Sequence, residues 1–516
     1  MRVPCCRATA LFALLLLANQ GVAADQLDDL LRKVPDRANT VVVIEREAIL
    51  RSPLAARLGW AKKSEADYLA GISAIPPGAS KLVFAAQLVP GSLGSSWVIG
   101  LMQMKNDVSI AEVARREKHS VDNLAGFPVV LCPRDAYFVE MGPRLVGTMH
   151  PANRQELARW LRSIKRSSQP TLTPYLQQAV GNGSDQSQIV LAIDTLDMVD
   201  TKEIRAHLGQ SKVLAGQNVD LDAAAKVLAG LRGLRLVISI NDGIHGELHL
   251  DFADSITPIA PFVKPLLLET LDHMGAALDQ LGSWNAAPAD TSAVLTGTLS
   301  PRTLRQVLSF FHTPPPTQGF ESVRQPEIVP PPGDPKAVAS QRYFRSIQTM
   351  LNDLAEIKSK TYIGIAYWYE KYAKDIDQFP MLNVDPELLN YGLGVSVMLR
   401  SIAGSLRGAP IQNELLDQYK GQASFSTPGY YNYRVGPGYA YAWGYPGSYW
   451  EVNNYNEVIR AQSQAAAAGN EARKTAWNLV LEKTNIIRQR MVVKYHVEFG
   501  SSMSTTGGSQ LRTIDK

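Results

Sequence analysis

The front part of the chain alternates short, continuously apolar runs with stretches whose apolar positions return every three or four residues, the signatures of strand and helix. Val41 to Ile44 is an unbroken apolar strand. Glu47 to Leu58 is spaced as a helix that stops at Gly59, the residue type that most easily takes the left-handed C-terminal turn. A further helix, Glu65 to Ile72, ends at Pro76-Pro77-Gly78. Lys81 to Val89 and Ser96 to Met104 read as a hairpin through Pro90-Gly91-Ser92. A helix from Ile110 to Lys118, strands at Pro128 to Leu131, Ala136 to Glu140 and Leu145 to Thr148, and a helix with Pro151 in its first turn complete the series.

The series then returns. Leu145 to Leu161, LVGTMHPANRQELARWL, matches Leu295 to Phe311, LTGTLSPRTLRQVLSFF, with no gap and an offset of 150 positions. Similarity at a fixed period signals repeated architecture. Strand Ile189 to Ile193, helix Lys202 to Leu208 ending at Gly209, and hairpin strands Arg235 to Asn241 and Gly246 to Phe252 follow the earlier order. Asn241-Asp242-Gly243 is a strong tight-turn signal. A longer helix from Pro261 to Leu281 precedes Ala293 to Thr298 and the helix from Pro301, and the strand pair at 128 to 140 has no expected counterpart. Alternation in HGELHLDF favours antiparallel sheet covered by helices on one side.

Past residue 312 the pattern changes. Residues 313 to 334 carry proline clusters at both ends and little periodicity, which predicts a semi-stiff linker. Asp334-Pro335 then opens a helix in which Phe344, Ile347, Leu351, Leu354 and Ile357 recur at three and four, a spacing that extends through Tyr362, Ala366 and Tyr369 towards Ile376. Asp385-Pro386 opens another, whose Gly392, Gly394 and Gly404 predict close packing against a neighbour, and a last long helix covers roughly 453 to 490. The expected fold class is α+β. Two tandem duplicated modules of mainly antiparallel sheet with helices (25–165 and 166–312) precede the linker and a mostly helical domain (335–499) with an aromatic, glycine-rich loop at 428–450. A disordered tail is expected over 500–516.

Charge and cysteine usage narrow the class. Arg2 and Arg7 precede the apolar run Ala8 to Ala18, and Val22-Ala23-Ala24 supplies small residues before Asp25, the layout of a signal peptide (1–24) cleaved after Ala24. The run is about 11 residues where a span needs about 20, so no transmembrane anchor is expected in the mature chain. Loss of the two arginines lowers the formal charge from +4 to +2. With no Lys/Arg block, nucleic acid is an unsuitable partner, and a secreted or periplasmic placement is expected. Cys5 and Cys6 leave with the signal, and Cys132, in the strand-like VVLC, reads as a small buried hydrophobe.

Two constellations carry candidate chemistry. Tyr430, Tyr431, Tyr433, Tyr439, Tyr441, Trp443, Tyr445, Tyr449 and Trp450 crowd one stretch whose only charge is Arg434. Such rings stack on glycan, on a protein partner or on a second copy, because they combine apolar area with a polar handle. His245, Glu247, His249 and Asp251 alternate along one strand and project from one face. They read as the solvated side of a hairpin or, in an alternative reading, as the ligands of a metal-dependent hydrolase. Asp194, Asp197 and Asp200 lack the glycine and terminal glutamate of a calcium loop, and Asn182-Gly183-Ser184 fits a glycosylation acceptor. No G-x-S-x-G, H-E-x-x-H, P-loop or dinucleotide fingerprint occurs, so no cofactor is predicted. The leading expectation is an exported, non-catalytic binding or structural protein of the cell envelope.

Overall fold

A computed structural model describes residues 27–501 apart from 71, 74, 91–92, 167–169, 182–186, 197, 199–200, 312, 317–319, 321–333, 358, 360, 412–415 and 417–467. The expected signal segment, the acceptor at Asn182, most of the linker, the aromatic stretch and most of the tail therefore lie outside the described residues. The fold is α+β, with a helical region following a large antiparallel sheet.

The sheet begins with β1 (Thr40–Ile44), followed by helices α1 (Arg46–Arg51), α2 (Pro53–Leu58) and α3 (Trp60–Leu69). The single predicted helix over 47–58 is divided, because Ser52 turns extended and caps Ala55 N–H ahead of Pro53. Gly59 takes the left-handed conformation, as its position predicts. The hairpin β2 (Ala79–Leu88) and β3 (Ser95–Met104), helix α4 (Ile110–Glu117), and strands β4 (Asp122–Leu124), β5 (Phe127–Cys132), β6 (Ala136–Gly142) and β7 (Leu145–His150) follow. Helix α5 (Arg154–Arg166) starts three residues later than expected. Asn153 caps it, accepting from Gln155 and Glu156 N–H at 3.0 and 3.1 Å, while Pro151 follows a cis peptide bond outside the helix.

After α6 (Pro174–Gly181) come β8 (Ile189–Asp194), α7 (Thr201–Leu208), α8 (Leu221–Ala229), β9 (Leu231–Ile240), β10 (Ile244–Phe252) and α9 (Val263–His273). The long helix expected to 281 stops early, with Gly275 left-handed at φ 75°. Strands β11 (Asn285–Pro288) and β12 (Ser292–Leu299) and helix α10 (Pro301–Ser309) close the series. β11 supplies a counterpart to β6 that the sequence pattern hides.

All these strands form one sheet in the order β11-β12-β10-β9-β8-β1-β2-β3-β7-β6-β5-β4. The halves meet at β1 and β8, antiparallel, with Val42 opposite Leu191. Outward from that pair the strand order is the same on both sides for five strands. The central strands are covered on both faces, and Val41, Val42, Val43 and Ile44 are all buried, which is why the run has no polar alternation. The first face, carrying Val42, Ile44 and Phe84, packs with α4, α8, α9 and α10. The second, carrying Val41, Val43 and Ile99, packs with α5, α6 and the turn of helix at 27–31. Coverage of one side only, the expectation from the alternating strand, holds for the outer part of the second half, past the strands that α6 covers, and not for the first half.

The expected linker begins as a docked strap. Thr313 to Pro316 and Phe320 are buried, Phe320 sits edge-on to Phe138 at 5.3 Å, and Ser109 N–H donates to the Phe320 carbonyl at 3.0 Å. Helices α11 (Pro335–Glu356), α12 (Ala366–Asp377), α13 (Pro386–Leu406) and α14 (Asn470–Tyr495) enclose their own core around Phe344, Trp368, Tyr391 and Trp477. The periodicity past residue 357 belongs to two helices, since Ile357 turns extended and ends α11. Gly392 permits the predicted close approach: a Cβ there would lie 2.0 Å from Tyr343 Oη. Phe310, at the end of α10, stacks on Tyr367 at 5.5 Å and joins this core to the sheet.

Candidate binding site

The best-formed cavity lies where the first face of the sheet, α1–α3, α10 and the helical region meet. Its volume is about 250 Å³. The floor is Val42 and Ile44 of β1, Phe84 of β2, Ile189 of β8 and Ile240 of β9, so it straddles the junction of the two halves. Ile49, Trp60, Ile75, Leu304, Leu308, Phe311 and Met350 form apolar walls. Exposed Lys63 and Arg305 mark its open side. A chamber with apolar lining and few polar groups is the usual form of a small-molecule site.

Its charges are ordered. Arg305 holds Asp353 through two bonds, Nη2 to Oδ1 at 2.6 Å and Nε to Oδ2 at 3.2 Å. Burial works against the Arg305 charge, but those bonds and the neighbouring carboxylates outweigh it and raise the guanidinium above its usual range. Burial pushes Asp353 up against the pull of Arg305, and it pushes Asp67 up against Lys63 and Arg305. Asp375 is held by Lys371 at 2.5 Å.

Arg46 differs. It is 6% exposed and donates only to neutral oxygens, Ala79 O at 3.2 Å and Ser64 Oγ at 2.7 Å. The carboxylates flanking it in sequence are engaged elsewhere, Glu45 by Lys81 at 2.9 Å and Glu47 by Lys105 at 3.0 Å. Burial therefore pushes its pKa down, against the opposing charge of Glu47.

The residues singled out from sequence are not in this chamber. The nine aromatics from Tyr430 to Trp450 lie outside the described residues. His245, Glu247, His249 and Asp251 lie on the second face of β10, with His245 and Glu247 exposed. His249 pairs with Glu247 at 2.5 Å, while Asp251 accepts from Tyr175 Oη of α6 at 2.8 Å, so the four do not converge. Among the described residues no group of three or more His, Cys, Asp or Glu is placed to hold a metal ion. Cys132 is 1% exposed, and burial pushes its thiol up to about 11. Asp194 is buried and accepts from Leu196 N–H, as a turn former does; 197 and 200 lie outside the described residues. A second, more open groove of about 410 Å³ runs along α5, but of its arginines Arg154 is tied to Asp122 and Arg159 to Glu156.

Sequence reading missed Arg46, Phe84, Ile189, Ile240, Arg305 and Asp353 because they come from six separated elements. The one local signal was an arginine between two glutamates directly after an apolar strand.

Among the described residues no helix is long and apolar enough to cross a membrane. No family model matches the chain, and no curated protein matches it. Among solved structures, crystal form I of TP0453 aligns with 12% identity and a TM-score of 0.34 over 55% of this chain and 98% of that one. Crystal form III of TP0453 aligns with 12% identity and a TM-score of 0.30 over 54% and 96%. At these values the likeness assigns neither fold nor activity.

Proposed function

We propose that this is an exported, non-catalytic binding protein whose site is the chamber at the junction of the two sheet halves, and whose ligand is a small, largely apolar molecule. The observation that carries this reading is the chamber itself: an apolar floor across the four central strands, walled by elements from both halves and from the helical region. Export rests on the basic, apolar and small-residue order of residues 1–24. The aromatic stretch 428–450 joins the reading as a second contact surface, for glycan, protein partner or another copy of the chain. The hydrolase alternative built on His245, Glu247, His249 and Asp251 is less favoured, since His249 is paired with Glu247 and Asp251 is bonded to Tyr175 on a partly open face.

The test is calorimetric titration of 1-octanol into the mature chain and into Leu308→Trp, which fills the chamber wall. Saturable uptake by the native protein, weakened at least about tenfold by the larger side chain, is expected. Absence of uptake, or uptake indifferent to the substitution, overturns the assignment.

A further inference from the structure

A buried guanidinium with no carboxylate in hydrogen-bond contact is costly, because burial penalises the charge and, for Arg46, only Glu47, which makes no bond to it, offsets part of that penalty. Arg46 is in that state on the chamber wall, and it is not for want of acids. Each carboxylate lining the chamber already has a cation beside it: Asp353 has Arg305, Asp375 has Lys371, and Asp67 has Lys63 and Arg305. Glu45 and Glu47 are taken by lysines. Of the five N–H donors of Arg46, two are used, both on neutral oxygens. The remaining donors form the planar fork that matches a carboxylate.

From this geometry we infer that the chamber takes an aliphatic carboxylate, its chain on the apolar floor and its head on the free donors of Arg46. The inference rests on the chamber reading above and adds the class of ligand to it. Size limits the chain. An apolar cavity of about 150 Å³ accommodates benzene, so by proportion about ten non-hydrogen atoms fit here, which is the size of octanoate. The head completes the charge pattern of the site: the anion supplies to Arg46 what Asp353 supplies to Arg305. Burial, which lowers the Arg46 pKa in the free protein, then strengthens the ion pair in the complex.

Titrations of octanoate and 1-octanol into the full mature chain at pH 7.5 compare one chain with and without the charge. The native protein is expected to bind octanoate at least about tenfold more tightly. Arg46→Gln should remove the preference for octanoate over octanol, and Leu308→Trp should weaken both. If Arg46→Gln does not fold, the native ratio decides the matter alone. Equal affinities for the two probes overturn the carboxylate while leaving the chamber standing. Failure of both to bind, or octanoate binding that survives Leu308→Trp, overturns both readings.

Discussion

The two halves of the sheet share one strand order, but their equivalent closing helices pack on opposite faces. In the first half α5 lays Leu157, Trp160 and Leu161 on the second face; in the second half α10 lays Leu304 and Val307, and Phe311 just past its end, on the first. A tryptophan crosses glycine in both. Trp160 lies over Gly147, whereas Trp284 lies over Gly246 and Gly297 on the other side. The gap-free sequence match therefore pairs positions of opposite orientation, Leu145 in one core with Leu295 in the other. Side chains alternate with period two, so an odd offset in the ladder is enough to invert a strand. Hairpins and connection lengths set which strands neighbour each other, and register sets which face they bury. One consequence is that part of the second face beyond β8 is left open, with His245, Glu247, Thr296 and Thr298 exposed.

The tryptophans are where this contrast is strongest. Trp284→Ala and Trp160→Ala should each cost about 3–5 kcal/mol in denaturant unfolding, since each removes a buried indole from its own face. A loss below about 1 kcal/mol in either would mean that half does not close as described. The glycines sharpen the comparison. A Cβ on Gly297 would lie 2.3 Å from Trp284 Cδ1, in a ring with nowhere to go, and Gly297→Ala should cost about 1–3 kcal/mol. A Cβ on Gly147 meets first the flexible end of Met141 at 2.6 Å, and Trp160 only at 3.1 Å, so Gly147→Ala should cost less than about 1 kcal/mol. Equal losses would contradict the asymmetry.

A smaller effect belongs to the second half and is read with pH. Burial and the neighbouring His273 push His207 down to about 4. The folded state keeps the ring neutral where the unfolded chain protonates near 6.5, so the unfolded state binds more protons between those values. Stability from this group is thus present above about pH 6.5 and declines as pH falls towards 4. The ring is only half-buried, and solvent screening holds the loss to on the order of 1 kcal/mol at pH 5. Unfolding free energies at pH 7.5 and 5 should converge in His207→Gln by that amount; an unchanged pH difference removes His207 from the account.

How much of this was legible in the chain follows from the range of the forces involved. Strands such as Val41 to Ile44 and turns such as Asn241-Asp242-Gly243 are local, and they appear within a residue or two of where they were expected. The α+β class and the helical region after the sheet follow from them. The split of the helix at Ser52-Pro53 was also written locally, in a capping serine before proline, and was hidden by apolar spacing that continues across the break. Which face Leu145 or Leu295 buries was not legible, because parity between strands depends on pairings far apart in sequence. The chamber was the least visible, since Val42, Phe84, Ile189, Ile240 and Arg305 meet only after the halves have joined. Conversely, the conspicuous alternation of His245, Glu247, His249 and Asp251 advertised an open face and not a convergent site.

That open face supports the smallest predicted effect. His249 and Glu247 are a close pair, but Glu247 is half exposed, and pairs of this kind contribute about 0–1 kcal/mol. His245 is exposed beside Gly243 at the hairpin end. His245→Ala should therefore leave unfolding free energy within about 0.5 kcal/mol, and His249→Ala within about 1 kcal/mol. Elemental analysis of protein purified without chelator gives an independent reading of the same residues. Should the native chain carry stoichiometric zinc that the double substitution removes, the side chains converge in solution as they do not here. The hydrolase alternative would then displace the solvated-face account, and a second-half loss well above 1 kcal/mol would point the same way. If neither occurs, the comparison keeps its present form: one half spends its second face on a core, and the other leaves part of it in water because register has carried its apolar side chains to the opposite side.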